Sequence, residues 1–571
     1  QGDISTEKDD YVCPECGAAK SQFTLADRTM ARKIAGVRYQ MEVYGSNASN
    51  PYTFSKDIPI DVVVKIREYS QQMPGVEIKE TTSRRYVDGT LAPHAVGVVG
   101  SINAEEYEAE NAQILEQIKE EHPDWTEEQI NELYQEQKYG YNDIIGKSGL
   151  EYAMEDELRG ERGKKRITTD AQGNVLSTEI IKQAVPGNTI VTTLDKDLQR
   201  AALEGSAEFL EMAKKTYSPE EGGSADRISV VAQDVKTGEI LAMVNYPTYD
   251  LSDYYTKYSE LSSDPLHPLI NYCTQGIYMP GSIYKPVVGI GALASGVIDG
   301  DTLIDCKQIY QTGTDYNPRC LGLHGPINIQ YALMVSCNYF FYEAGTRQGI
   351  DNIVKYSEQL GLGVESGIEL SEATGHVSCP EYYESVREGQ VGGTWTYGNV
   401  LQSSIGQLDN AYTPLQMANY VATLANDGTR MRSHLVKSVE SYNLEETISV
   451  TEPEVLNQVE ADQEAFDQVR EGMVRCSRDT TRGSARYYFG DYPIDVAAKT
   501  GTPQASGGDL DATFIAYAPA YDPEIAVAVV VENGYSGQRG APIAKAIFNE
   551  YFGLNEETET QQQNTDGQLI P

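Results

Sequence analysis

Three short segments constrain this chain more than anything else in it: Ser282-Ile283-Tyr284-Lys285, Ser336-Cys337-Asn338 and Lys499-Thr500-Gly501. Each is a common tripeptide or tetrapeptide pattern in a chain of 571 residues. Together they supply serine hydroxyls, two amines and an amide, groups that act on one another only if the fold gathers them in one place. Their flanks agree with that. Pro280-Gly281 precedes Ser282, where a turn delivers the serine to the start of a helix, and Lys285 follows one helical turn later on the same face. Lys499-Thr500-Gly501-Thr502 closes a stretch that reads as a strand and then meets Pro503.

The surrounding periodicity supplies the sheet. Ile228–Val235 and Glu239–Asn245 read as two strands about the turn Lys236-Thr237-Gly238, and Ala512–Ala518 and Ile525–Val531 as a second pair with Tyr521-Asp522-Pro523 between them. Leu194–Met212 and Ala541–Tyr551 read as helices, and helical patterning dominates from Ser282 to Asn426. Strands at both ends with helices between predict an α+β fold. The texture changes at Pro186-Gly187, so residues 187–555 are expected to form the domain that carries the three motifs and residues 1–186 a separate, non-catalytic module. That module shows strand-like pieces at Lys165–Thr169 and Asn174–Ile181 about a turn at Gln172-Gly173, and a helix from Asp57 to about Met73 with Pro59 in its first turn. It also holds an acidic helical insertion at about 104–138, hinged near His122-Pro123-Asp124 with Asp124 or Thr126 capping its second helix. Residues 556–571 are rich in Gln, Thr and Glu and read as a disordered tail.

Composition narrows the function. A formal charge of −40 excludes nucleic acid as a partner and a polybasic membrane patch. No apolar run approaches the ~18 residues that span a bilayer. Gln1 opens no signal-peptide pattern, and the abrupt start reads as a chain trimmed of an N-terminal anchor.

Further segments make the resemblance specific. Pro280-Gly281-Ser282-Ile283-Tyr284-Lys285-Pro286, Ile405-Gly406-Gln407 and Thr413-Pro414-Leu415-Gln416-Met417-Ala418 resemble the catalytic domain of class B penicillin-binding proteins. Upstream, Phe54-Ser55-Lys56-Asp57-Ile58-Pro59, Ser83-Arg84-Arg85-Tyr86, Gly146-Lys147-Ser148-Gly149-Leu150-Glu151 and Leu158-Arg159-Gly160 resemble the pedestal of the elongation-type member rather than the division or sporulation types. The resemblance covers residues 28–553. It implies an antiparallel sheet with helices, preceded by an elongated, β-rich pedestal. It also implies a D,D-transpeptidase that cross-links peptidoglycan stem peptides through a serine acyl-enzyme and is acylated by β-lactam antibiotics. The expected location is the outer face of the bacterial cell membrane. By analogy the partners are a membrane glycosyltransferase and the elongation or division machinery.

Such chemistry needs these residue types. A serine hydroxyl must be deprotonated to attack an amide, so Ser282 is the expected nucleophile and Lys285, in its neutral form, the base. Ser336 relays the proton to the leaving amine, and Asn338 holds Lys285 or the substrate backbone. Lys499, Thr500 and Thr502 hold the terminal carboxylate, Gly501 lets the substrate backbone lie along the strand, and the N–H groups of Ser282 and Thr502 form the oxyanion hole. A β-lactamase would need a positioned carboxylate base that no motif marks, and a non-catalytic β-lactam sensor would need a signalling domain that the sequence does not show.

Cysteine usage adds a second question. Cys306, Cys320, His324 and Cys337 fall within one segment, and Cys337 is the middle residue of the second motif. The four form a candidate Cys₃His structural zinc site. The alternative is a Cys306–Cys320 disulfide with Cys337 as a packed small residue. Cys13-Pro-Glu-Cys16 is half of a zinc knuckle and reads as a local thiol pair. Cys273 and Cys379 read as buried small hydrophobes, and His94 as a residue packed within the pedestal.

Overall fold

Ile525–Val531 (β5) has the sequence Ile-Ala-Val-Ala-Val-Val-Val, with no side chain able to face water, and every residue of it is buried. Such a run is stable only as a strand covered on both faces. The computed structural model places it at the centre of a five-stranded antiparallel sheet. With β1 as Ile228–Asp234, β2 as Ile240–Tyr246, β3 as Ala497–Gly501 and β4 as Ala512–Ala518, the order is β3-β4-β5-β1-β2. The structure describes residues 25–43, 83–141, 143–169, 175–504 and 509–555, with short stretches between 45 and 78. The Cys13–Cys16 pair, the Gln172-Gly173 turn and the 556–571 tail lie outside the described residues.

The sheet divides two cores with the period-two alternation of a strand. Ile525, Val527, Val529 and Val531 enter one core, together with Phe209 of helix α1 (Lys196–Thr216) and Phe548 of helix α7 (Ala541–Tyr551). Ala526, Ala528 and Val530 enter the other. That second core is built with α2 (Lys285–Ala294), α3 (Ile329–Met334), α4 (Asn338–Gln348), α5 (Pro414–Ala425) and α6 (Gln463–Arg478). The Gly and Ala content of α2 lets it run almost wholly buried, from Lys285 to Ala292. The expected strands and end helices form within a residue or two of their anticipated limits, except that α1 continues to Thr216.

The chain's contacts divide it into two compact units, and not by a single cut at residue 186. One unit comprises residues 1–83, 102–143 and 162–183; the other comprises 84–101, 144–161 and 184–571. Backbone bonds tie the two upstream segments to the catalytic unit: the Leu251 N–H donates to the Gly89 carbonyl at 3.1 Å and the Asn188 N–H to the Glu157 carbonyl at 2.7 Å. Val99–Ser101 pairs with Ile144–Gly146, and Arg84 bonds Glu151. At Gly97 (φ +85°) the backbones meet so closely that a Cβ would stand 1.8 Å from the Ser148 carbonyl. His94 packs within this second unit. Its Nε2 lies 2.7 Å from the Pro268 carbonyl, and burial lowers its pKa to about 4.

Within the first unit, the acidic insertion folds as helices Ala104–Glu121 and Glu127–Gln137. Asn103 caps the first in a reciprocal box with Glu106, and Thr126, not Asp124, caps the second with Gln129. The helix expected from Asp57 spans Ile60–Glu68, starting after Pro59. This unit also holds the helix Leu25–Val43 and a hairpin of Lys164–Thr169 and Val175–Lys182.

Phe548 is fully buried between Phe489 and Phe552. Phe548→Ala is expected to lower stability by about 3–5 kcal/mol, read as a reduced urea midpoint with an unchanged slope.

Candidate active site

Ser282 is presented by a tight turn that buries everything around it. Gly281 takes φ +57°, a conformation that favours glycine, and its N–H donates to the Gly406 carbonyl at 2.9 Å. Gly281–Tyr284 forms one 3₁₀ turn that runs directly into α2. Within it Ile283 and Tyr284 are buried and Ser282 is half-exposed. The Tyr284 ring stacks on Tyr412 at 6.1 Å, and Tyr420 donates its hydroxyl to the Ile283 carbonyl at 3.0 Å. The serine is thus the open point of an otherwise packed turn.

Two buried amines meet at one hydroxyl beside it. Lys285 Nζ lies 2.8 Å from the Ser336 carbonyl, 3.0 Å from Ser336 Oγ and 2.6 Å from Asn338 Oδ1. Lys499 Nζ lies 3.0 Å from the same Ser336 Oγ and 2.9 Å from the Thr500 carbonyl. Both lysines are fully buried. Burial, and then the charge of Lys499, lowers the pKa of Lys285 to about 7; burial lowers that of Lys499 to about 8. In its neutral form Lys285 has two N–H bonds to donate and one lone pair, the lone pair a general base needs. Ser336 is held at φ +54°, strained for a non-glycine residue, and this places its Oγ between the amines. Of the two roles open to Asn338, the geometry fills that of holding Lys285.

The third motif lies on β3, the sheet edge. Thr500 Oγ1 donates to Ser484 Oγ at 3.0 Å. Thr502 Oγ1 accepts the Gly537 N–H at 3.1 Å, which leaves its own proton for a ligand oxygen. Gly501 has a steric reason beside the one expected. A Cβ there would meet Thr513 Oγ1 at 2.2 Å and the Pro280 carbonyl at 2.5 Å, so the glycine makes room for the nucleophile turn. The motifs therefore converge: Lys285, Ser336, Asn338, Lys499 and Thr500 in one hydrogen-bonded network, and Pro280-Gly281 against Gly501 and Pro503. Ser484, Thr513 and Gly406 complete the surroundings. Gly406 belongs to the Ile405-Gly406-Gln407 segment of the sequence, whereas no motif spacing marks Ser484 or Thr513.

Cys306, Cys320, His324 and Cys337 also come together, with their ligand atoms all within 4.8 Å of one another. The individual separations are informative. Cys306 Sγ to His324 Nδ1 is 3.5 Å, Cys320 Sγ to His324 Nδ1 is 3.6 Å, and Cys320 Sγ to Cys337 Sγ is 3.6 Å. A tetrahedral zinc has edges of ~3.6 Å between S and N and ~3.8 Å between two S atoms, from its bond lengths. The donor set and its spacing fit the ion. All six described cysteines are free thiols. Cys273 is a buried hydrophobe as expected, with Sγ 3.2 Å from the Val244 carbonyl, whereas Cys379 is only half-buried and caps Pro380–Ser385.

A strained S-x-N serine shared by two buried lysines, next to a serine at a helix start and an edge-strand K-T-G, defines a serine acyl-transfer site of the penicillin-recognising kind. The penicillin-binding protein transpeptidase domain matches residues 228–553, and the penicillin-binding protein dimerisation domain matches residues 18–192. The chain belongs to the penicillin-binding protein transpeptidase family. It is 29% identical over 511 residues to the peptidoglycan D,D-transpeptidase MrdA of Acinetobacter baumannii, covering 85% of this chain and 68% of that one. Pseudomonas aeruginosa PBP2, solved in complex with WCK 5153, is 27% identical with a TM-score of 0.65, covering 82% of this chain and 90% of that one. A penicillin G acyl-enzyme complex of penicillin-binding protein A from M. tuberculosis is 26% identical with a TM-score of 0.53, covering 64% of this chain and 81% of that one.

Neutral Lys285 predominates above its pKa. Acylation by penicillin is therefore expected to rise with pH through about 7 and level off above it. Lys285→Arg, a cation that does not deprotonate, is expected to lower the plateau by about 10²–10⁴-fold. Stopped-flow labelling across pH 5–9 checks both.

Proposed function

We propose that this chain is an elongation-type peptidoglycan D,D-transpeptidase with Ser282 as nucleophile. The observation that carries this is the single Ser336 hydroxyl held at 3.0 Å from both Lys285 and Lys499, beside the Ser282 turn. Ser282 Oγ bonds the carbonyl carbon of the penultimate D-alanine as its proton passes to Lys285. The N–H groups of Ser282 and Thr502 receive the oxyanion. The C–N bond then breaks, and the leaving D-alanine amine takes the proton by way of Ser336. An amine of a second stem peptide attacks the ester, forms the new amide, and returns a proton to Ser282. No ATP is needed, since one amide replaces another. Thr500, Thr502 and Lys499 hold the terminal carboxylate. A β-lactam enters the same path, but its leaving nitrogen stays tethered in the acyl-enzyme.

The elongation assignment is supported by the likeness to MrdA of A. baumannii and PBP2 of P. aeruginosa. It brings with it a location outside the cytoplasmic membrane, where stem peptides are exposed, and partnership with a membrane glycosyltransferase and the wall-elongation machinery. Among the described residues no helix is long and apolar enough to cross a membrane.

Zinc is part of the proposal. Cys306, Cys320, His324 and Cys337 would hold one Zn²⁺, which supplies a structural cross-link and no acyl-transfer chemistry. The four ligands tie the Ser336-Cys337-Asn338 turn to the preceding loop, so metal affinity becomes folding free energy at the site.

Two measurements test this. Ser282→Ala should abolish labelling by a fluorescent penicillin at unchanged melting temperature, and the wild-type adduct should persist for hours. Labelling of that variant refutes the nucleophile, and wild-type adducts that clear within seconds indicate a β-lactamase. For the metal, protein purified without chelator should contain about one zinc per chain, and Cys337→Ser should lose both zinc and thermal stability. Zinc-free wild-type protein would refute the site.

A further inference from the structure

Thr513 is a polar residue near the start of a buried strand. It is fully buried and lies on β4, flanked by Ala512 and Phe514. Its backbone is held on both sides, opposite Gly501 of β3 and Val530 of β5. Its hydroxyl leaves the sheet and donates to the carbonyl of Pro280 at 2.7 Å. Pro280 is the residue from which the Ser282 turn starts. The bond crosses directly over Gly501, whose absent Cβ would stand 2.2 Å from Thr513 Oγ1 and 2.5 Å from the Pro280 oxygen.

This link joins the two halves of the oxyanion hole. One donor, the Ser282 N–H, belongs to the turn; the other, the Thr502 N–H, follows β3. Nothing in the chain's covalent order sets the distance between them, since more than two hundred residues intervene. Oxyanion donors are effective only within a few tenths of an ångström of the position the developing charge will occupy. Close packing of Gly281 on Pro503 keeps the two segments apart at contact distance, but packing alone has no direction. A short hydrogen bond from a residue fixed in the third-motif sheet to the residue that opens the first-motif turn does have one. A valine in the same place would fill the same volume and leave the Pro280 carbonyl without that donor.

We infer that Thr513 is the positioning residue of the oxyanion hole, setting the Ser282 turn against the K-T-G strand through its hydroxyl bond to Pro280. It touches neither substrate nor the lysines, so it acts on the acylation step and not on binding or on the base. The inference rests on the transpeptidase reading above.

The test is stopped-flow acylation by penicillin, separating the saturating rate from the apparent affinity, on the intact chain carrying Thr513→Val, Thr513→Ala or Thr513→Ser. Displacing one oxyanion donor without removing it should lower the saturating rate of the Val and Ala variants by about 10–100-fold. Apparent affinity should stay within about threefold, and the midpoint of the pH profile should not move, because Lys285 keeps its surroundings. Serine restores the hydroxyl and should return the rate to within about threefold of wild type. A Val variant that acylates at the wild-type rate overturns the inference, as does a Ser variant no faster than Val. If Val and Ala both lose the fold, the bond is a stability element only and the inference falls. Failure of the wild-type chain to take label would instead sink the transpeptidase reading itself.

Discussion

The site depends on placing two lysines, both fully buried, around one serine hydroxyl. Two ammonium ions at this separation in a dry cleft repel each other and lack hydration, and both effects favour loss of a proton. The fold supplies the environment that makes this happen. Lys285 opens a helix whose first eight residues are buried, and Lys499 sits on a strand with every residue buried. Ser336, in left-handed backbone geometry, is held against both by the turn between α3 and α4. The strain of that turn and the desolvation of the amines are offset by the surrounding packing, a common arrangement where a site must be ready before its substrate arrives.

The same sheet that forms the core also sets distances in the site. β4 lies between β3 and β5, contributes Phe514 to one core and Ile515 to the other, and projects Thr513 toward Pro280. Glycines occur where segments must approach: Gly501 beneath the nucleophile turn, Gly281 against Pro503, and Gly406 with its missing Cβ 2.2 Å from the Gly281 carbonyl. The four-residue Cys/His cluster includes Cys337 of the second motif, which also caps α4 by accepting the Phe340 N–H. The S-x-N turn is therefore held by a helix cap.

Much of this was legible in the sequence because the signals were local. The apolar alternation of Ile525–Val531, the Lys236-Thr237-Gly238 turn and the three motifs each declare an element or a chemistry within a few residues. The Cys/His spacing was also readable, although only the structure brings the four ligand atoms together. What stayed hidden were relations between distant residues. Arg84–Ser101 and Ile144–Glu161 join the catalytic unit through bonds such as Leu251 N–H to Gly89 and Asn188 N–H to Glu157, which no composition change marks. His94 gave no sign of its carbonyl partner 174 positions away. The steric need for Gly501 was not readable because what fills the space above it, Pro280 and Thr513, comes from two other segments.

The central claim is that Lys285 is neutral at physiological pH before any substrate binds. It is tested most directly by NMR titration of the resting protein with isotope-labelled lysine side chains. The account predicts one resonance titrating near pH 7, absent from Lys285→Arg and retained after Ser282→Ala. If the Lys285 resonance instead stays protonated to pH ~10, the ordinary range for lysine, then another group takes the proton from Ser282.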